Sequence, residues 1–206
     1  MPITTNQTDT RILDVHIEIA AQAAGHRKCI MIARSGCGFA PITVRTASNL
    51  ETGRILVITP KSIADMWTET LLDVMSETYP DMPKERVMNF AGRGRVAGAA
   101  AFSLAAKYEP DLPLACVITP EQAASAGAWQ KAKATSPFGL IVADSAGMYA
   151  NKKSERSQGL EHCLAKAGAY VLIARTPQEL DKLRVKNLPI VNVARMFEDA
   201  MAPGEA

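Results

Sequence analysis

The chain has 206 residues, 48% of them hydrophobic and 21% charged, which excludes both a small disulfide-stapled scaffold and a disordered tract. Lys and Arg number 23 against 21 Asp and Glu, so the net charge of +2 gives no global basic field, and any nucleic-acid contact has to come from a local patch. The cysteines Cys29, Cys37, Cys116 and Cys163 form no CxxC pair and mostly sit in or beside apolar runs, which reads as reduced thiols in an intracellular setting.

Residues 1–10 read as a polar N-terminal arm without the pattern of a secretory signal, 11–200 as one domain and 201–206 as a loose C-terminal tail. No apolar run approaches the ~20 residues needed to span a bilayer. The expectation is a soluble protein of the cytoplasm, nucleoid or nucleus, with no membrane partner.

In chain order, helical spacing over Asp14–Ala24 precedes a strand at Lys28–Ala33, and a helix at Ile42–Leu50 precedes a strand at Arg54–Thr59. A helix at Ile63–Glu77 leads to a strand at Arg86–Phe90, and an Ala-rich helix at Val96–Lys107 to a strand at Leu114–Thr119. The strand Gly139–Asp144 follows, then a helix at Glu155–Lys166, a strand at Ala169–Ala174, a helix at Pro177–Leu183 and a strand at Pro189–Val193. These strands are almost continuously apolar rather than alternating, which predicts burial on both faces: a three-layer α/β domain with a mostly parallel sheet of about seven strands. In such sheets ligands bind beyond the carboxyl ends of the strands.

After the first strand, Ser35, Gly36, Cys37 and Gly38 have the composition of a phosphate-binding loop that opens a helix. A nucleotide site also wants a Lys for the phosphates and a Ser or Thr for Mg²⁺ directly after the second glycine, where this chain has Phe39 and Ala40. What remains is a loop shape with, at most, weak ATP or Mg²⁺ binding through backbone groups. Two other readings stay open. Gly36 and Gly38 could begin a dinucleotide fingerprint, but Pro41 stands where a third glycine belongs, and Lys61 leaves NADP or another phosphate cofactor as the only version. Cys37 at a helix start could be a nucleophile, but it lacks the Arg six residues on that a phosphatase loop uses.

Four further stretches carry a pattern. They are Leu56-Val57-Ile58-Thr59-Pro60-Lys61-Ser62-Ile63 with Met66-Trp67-Thr68-Glu69, Phe138 to Gly147 with Asp144, Ser145 and Gly147, Tyr149-Ala150-Asn151-Lys152-Lys153-Ser154-Glu155-Arg156-Ser157, and Leu172-Ile173-Ala174-Arg175-Thr176-Pro177. Cys116-Val117-Ile118-Thr119-Pro120-Glu121 adds a strand end. With the loop at Ala33–Ala40 they resemble the first RecA-like lobe of superfamily-two helicases, closest to Swi/Snf-type DNA translocases, over roughly residues 12 to 180. The resemblance implies a RecA-like P-loop NTPase fold. It places Asp144 where the family's Mg²⁺-organising acid stands and Ser145 and Gly147 where its Glu and His stand. It puts His16 where the family has an adenine-reading Gln.

With the Lys, Ser/Thr and Glu all replaced, the resemblance implies a degenerate lobe, a pseudo-ATPase that binds or scaffolds protein partners, DNA or both. It has no catalytic residues of its own, and its partner is a second lobe or a larger complex. Lys61, Ser62, Lys152, Lys153, Arg156 and Arg175 are the candidate nucleic-acid residues, and Arg86, Arg93 and Arg95 form a second basic group around Gly92 and Gly94. The alternatives are a DNA-dependent ATPase subunit completed by a partner chain, and the phosphate-cofactor enzyme named above.

Overall fold

The computed structural model describes residues 5–33, 37–133, 135–149, 151, 153–182 and 187–202. Ser35, Gly36 and Lys152 therefore lie outside the described residues. Seven strands, β1 (Lys28–Ile32), β2 (Arg54–Ile58), β3 (Val87–Asn89), β4 (Leu114–Ile118), β5 (Leu140–Ala143), β6 (Ala169–Ala174) and β7 (Ile190–Asn192), form one sheet in the order β3-β4-β2-β5-β6-β1-β7, and every pair is parallel.

Because side chains alternate along a strand, each central strand feeds two cores. Val57 of β2, Val142 of β5 and Val171 of β6 pack under α1 (Thr5–His26), α2 (Phe39–Asn49) and α3 (Lys61–Thr78), with α7 (Val193–Met201) at the edge. Leu56, Ile141 and Leu172 face the opposite way, toward α4 (Ala97–Ala105), α5 (Pro120–Ala132) and α6 (Glu155–Ala165). Burial on both faces is why the strands read as unbroken apolar runs.

Four differences from the sequence expectation stand out. α1 begins at Thr5, inside the stretch expected as a polar arm, because its first turns carry no apolar periodicity to mark them. α5 was not expected: it is built of Ala, Gln and Gly and lacks an apolar stripe. Its start is fixed by a capping box in which the Gln122 backbone N–H donates to Thr119 Oγ1 (3.3 Å) and the Thr119 N–H donates to Gln122 Oε1 (2.9 Å), with Pro120 in the first turn. α7 was also not expected, and it starts directly from β7 under an Asn192 cap. The stretch Pro177–Lys182, expected as an α-helix, is a 3-10 turn.

Glycines let the helices of the second layer touch. A Cβ on Gly159 of α6 would come 2.5 Å from the backbone N of Ala124 in α5, and one on Gly127 of α5 would come 3.2 Å from the Gly159 carbonyl. At this crossing backbone meets backbone.

Candidate functional site

The strand order puts β2, β5, β6 and β1 side by side, so the segments leaving their carboxyl ends converge. They enclose a cleft of about 640 Å³ lined by Gly38, Phe39, Pro60, Trp67, Asp144 and Arg175 among others. Four separate segments thus supply one site, where sheets of this type bind ligands.

Asp144, directly after β5, is 1% exposed, yet its carboxylate is fully engaged. Arg175, directly after β6, donates to Oδ1 at 2.7 Å, the Ser145 backbone N–H donates to the same oxygen at 2.6 Å, and the Trp67 indole donates to Oδ2 at 3.0 Å. Charge-assisted bonds of this kind are the strong ones, and a buried carboxylate needs them to offset its desolvation. Ser145 adopts φ 60°, the left-handed conformation that closes the turn.

Phe39, the first residue of α2, is 9% exposed, and the Arg175 guanidinium carbon lies 5.2 Å from its ring centroid. The guanidinium is thus shared between an aromatic face and a carboxylate, an arrangement that suits Arg and not Lys. Arg175 Nη1 is buried and has no acceptor among the described residues, as a nitrogen over a ring would be. Glu179 completes the frame: its Oε2 accepts from the backbone N–H groups of Gly147 and Arg175, each at 3.2 Å.

Gly38 caps α2 at φ 66° and ψ 48°. A Cβ there would sit 2.7 Å from the His16 ring, so both conformation and space require glycine. His16 itself packs edge-on against Phe197 of α7 at 5.5 Å and hydrogen-bonds the Cys37 backbone, and burial lowers its pKa below the ordinary 6.5.

Mg²⁺ does not fit the donors found among the described residues. Both Asp144 oxygens already hold donors, one of them a guanidinium, and Phe39 and Ala40 offer neither charge nor ligand. No metal-dependent step is derived from these residues.

Among the described residues, the nucleic-acid candidates divide between the cleft and the turn that leads into α6. Arg175 is committed to the cleft, and Ser62 lines it from the first turn of α3, beside an exposed Lys61. Arg156 pairs with Glu121 at 2.6 Å and Arg95 with Glu155 at 2.6 Å, while Arg93 lies over the Phe90 ring and Arg86 over the Tyr108 ring. Lys153 lies in the turn that leads into α6, where its backbone N–H donates to Asn151. The Phe90–Gly94 loop is braced by the Gln122 amide, which donates to the Phe90, Arg93 and Gly94 carbonyls.

Trp67 and Glu179 were not singled out as site residues by sequence reasoning. Trp67 lies in the stretch Met66-Trp67-Thr68-Glu69, and an indole on the apolar face of a helix is the available signal. Glu179 gave none, since its partners lie at Gly147 and Arg175.

No family model matches the chain, and no curated protein sequence matches it. Solved structures do. The SWI2/SNF2 ATPase core of Sulfolobus solfataricus, determined in complex with dsDNA, superposes with a TM-score of 0.58 at 15% identity over 92% of this chain and 35% of that one. The helicase domain of Pyrococcus furiosus Hef gives 0.58 at 14% identity over 86% and 37%. The chain shares the RecA-like α/β fold of these structures, and it spans little more than a third of either. No helix among the described residues is long and apolar enough to cross a membrane.

Proposed function

We propose that this chain is a helicase-like lobe that binds rather than hydrolyses: a pseudo-ATPase module that docks a protein partner, duplex DNA or both. The observation that carries the reading is the closed state of Asp144, held by Arg175, Trp67 and Ser145 beside the Phe39 ring. Phosphoryl transfer depends on placed charges, and here the charges that would meet a phosphate and its metal neutralise one another within the chain.

The Sulfolobus neighbour was solved on dsDNA, which favours DNA among nucleic acids for this fold. The pairing of Arg156 and Arg95 with carboxylates weakens any phosphate grip on that side, which favours a protein as the principal partner.

Calorimetric titration with Mg-ATP tests the reading. No saturable heat up to millimolar nucleotide and no phosphate release, with or without duplex DNA, is the expected result. Saturable binding coupled to hydrolysis by the chain alone would sink it and bring the ATPase alternative forward.

A further inference from the structure

A second pocket lies at one edge of the sheet, where the chain enters β3 and β4, and it encloses about 340 Å³. Its wall is mostly apolar, built from Tyr79, Met82, Pro83, Leu112 and Pro113, and Arg86 stands in it. Asp81 also lines the wall, but among the described residues no ion pair joins it to Arg86.

Arg54 shares this edge. It opens β2 in register with Leu114 of β4, and β3, which follows Arg86, lies on the far side of β4. Arg54 is 8% exposed; its Nη2 donates to the carbonyl of Ala105 at the end of α4, and its buried Nε has no acceptor among the described residues. The Arg86 guanidinium carbon lies 4.0 Å from the Tyr108 ring centroid. The groups that act on Arg54 are its burial, the Cys116 thiol and the Arg86 charge, with no carboxylate among them. Two like charges at this edge are costly without a counterion.

We propose that this pocket binds a small organic anion, with its acidic head against Arg86 and its apolar body on Met82, Leu112 and the prolines. Arg54 supplies a second positive charge behind the first. The volume suits a small molecule, and the apolar wall would add nothing to the binding of a bare inorganic ion. The pocket lies where the chain enters β3 and β4, and the Asp144 cleft lies beyond the carboxyl ends of β2, β5, β6 and β1, so the two readings stand or fall separately.

The test is a fluorescence titration of the full chain with 8-anilinonaphthalene-1-sulfonate, an aromatic anion, with inorganic phosphate as a head-only competitor. Saturable one-to-one binding is expected. It should weaken about tenfold in Arg86→Gln, as loss of a charge-assisted contact implies, weaken similarly in Leu112→Glu, and be largely kept in Arg86→Lys. Phosphate should compete only weakly. Leu112 is 38% exposed, so Leu112→Glu carries the test even if Arg86→Gln does not fold. Absence of a saturable signal, or equal affinity in the parent and both weakened variants, overturns the assignment.

Discussion

Arg175 and Asp144 meet at 2.7 Å across the ends of the adjacent strands β6 and β5, so the buried carboxylate of the cleft is neutralised by its neighbouring strand. Removing the cation alone strands a buried charge. Arg175→Ala should therefore lower the unfolding free energy by about 3 kcal/mol, the lower end for a broken buried pair because Arg175 is partly exposed and the Trp67 and Ser145 donors remain. Asp144→Asn in the Arg175→Ala background should recover part of the loss. Urea unfolding of the two single variants and the double variant measures the coupling; independent, additive effects would contradict it.

The same pair decides how a nucleotide site could be rebuilt. Phe39→Lys, Ala40→Thr and Ser145→Glu supply the side chains that the helicase resemblance expects, but Asp144 would still be held by Arg175, and a glutamate at φ 60° costs about 1 kcal/mol in the left-handed region. The threefold variant should bind Mg-ATP poorly. Adding Arg175→Gly, which frees the carboxylate, should tighten binding by about tenfold, the scale of one charge-assisted contact. Calorimetry on the two variants decides it, and equal affinities would mean that Arg175 is not the block.

The sheet was readable because a strand buried on both faces writes itself as a run such as Leu56-Val57-Ile58. The cleft was half readable. Its loops could be placed at strand ends and its missing Lys, Thr and Glu noticed, but the Arg175–Asp144 pair joins residues 31 apart, and no local spacing announces it. Sequence reasoning lists Arg175 among the nucleic-acid candidates, and the fold pairs it with a carboxylate and a ring. α5 was missed for a different reason: apolar periodicity was the search signal, and this helix shows its start instead through Thr119-Pro120-x-Gln122.

Helix contact in the second layer makes a separate prediction. Gly159→Ala places a methyl 2.5 Å from the Ala124 backbone N and 2.6 Å from the Ala123 carbonyl carbon, both main-chain atoms that cannot rotate aside. The α5–α6 crossing must open, at about 1–3 kcal/mol for overpacking. Thermal unfolding should show a lower midpoint for Gly159→Ala. The same substitution at Gly25, with no heavy atom within 4 Å of its Cβ and a place in the last turn of α1, should have little effect.

His16 makes stability depend on pH. Burial, the largest cause, holds its pKa in the folded chain below the ordinary 6.5; the nearby Arg45 adds to that, and the hydrogen bond with the Cys37 backbone opposes it. As pH falls, the unfolded chain therefore takes up this proton first. The contribution of the neutral ring is complete above pH 6.5, declines as pH drops from there toward the folded-state value, and is gone below it. His16→Gln keeps a polar side chain beside Gly38 and removes the titration. The fall in thermal midpoint between pH 7.5 and about 5 should accordingly be smaller in His16→Gln than in the parent chain. Equal slopes would show that other groups account for the acid sensitivity, and that the ring fills the space under the α2 cap without titrating in this range.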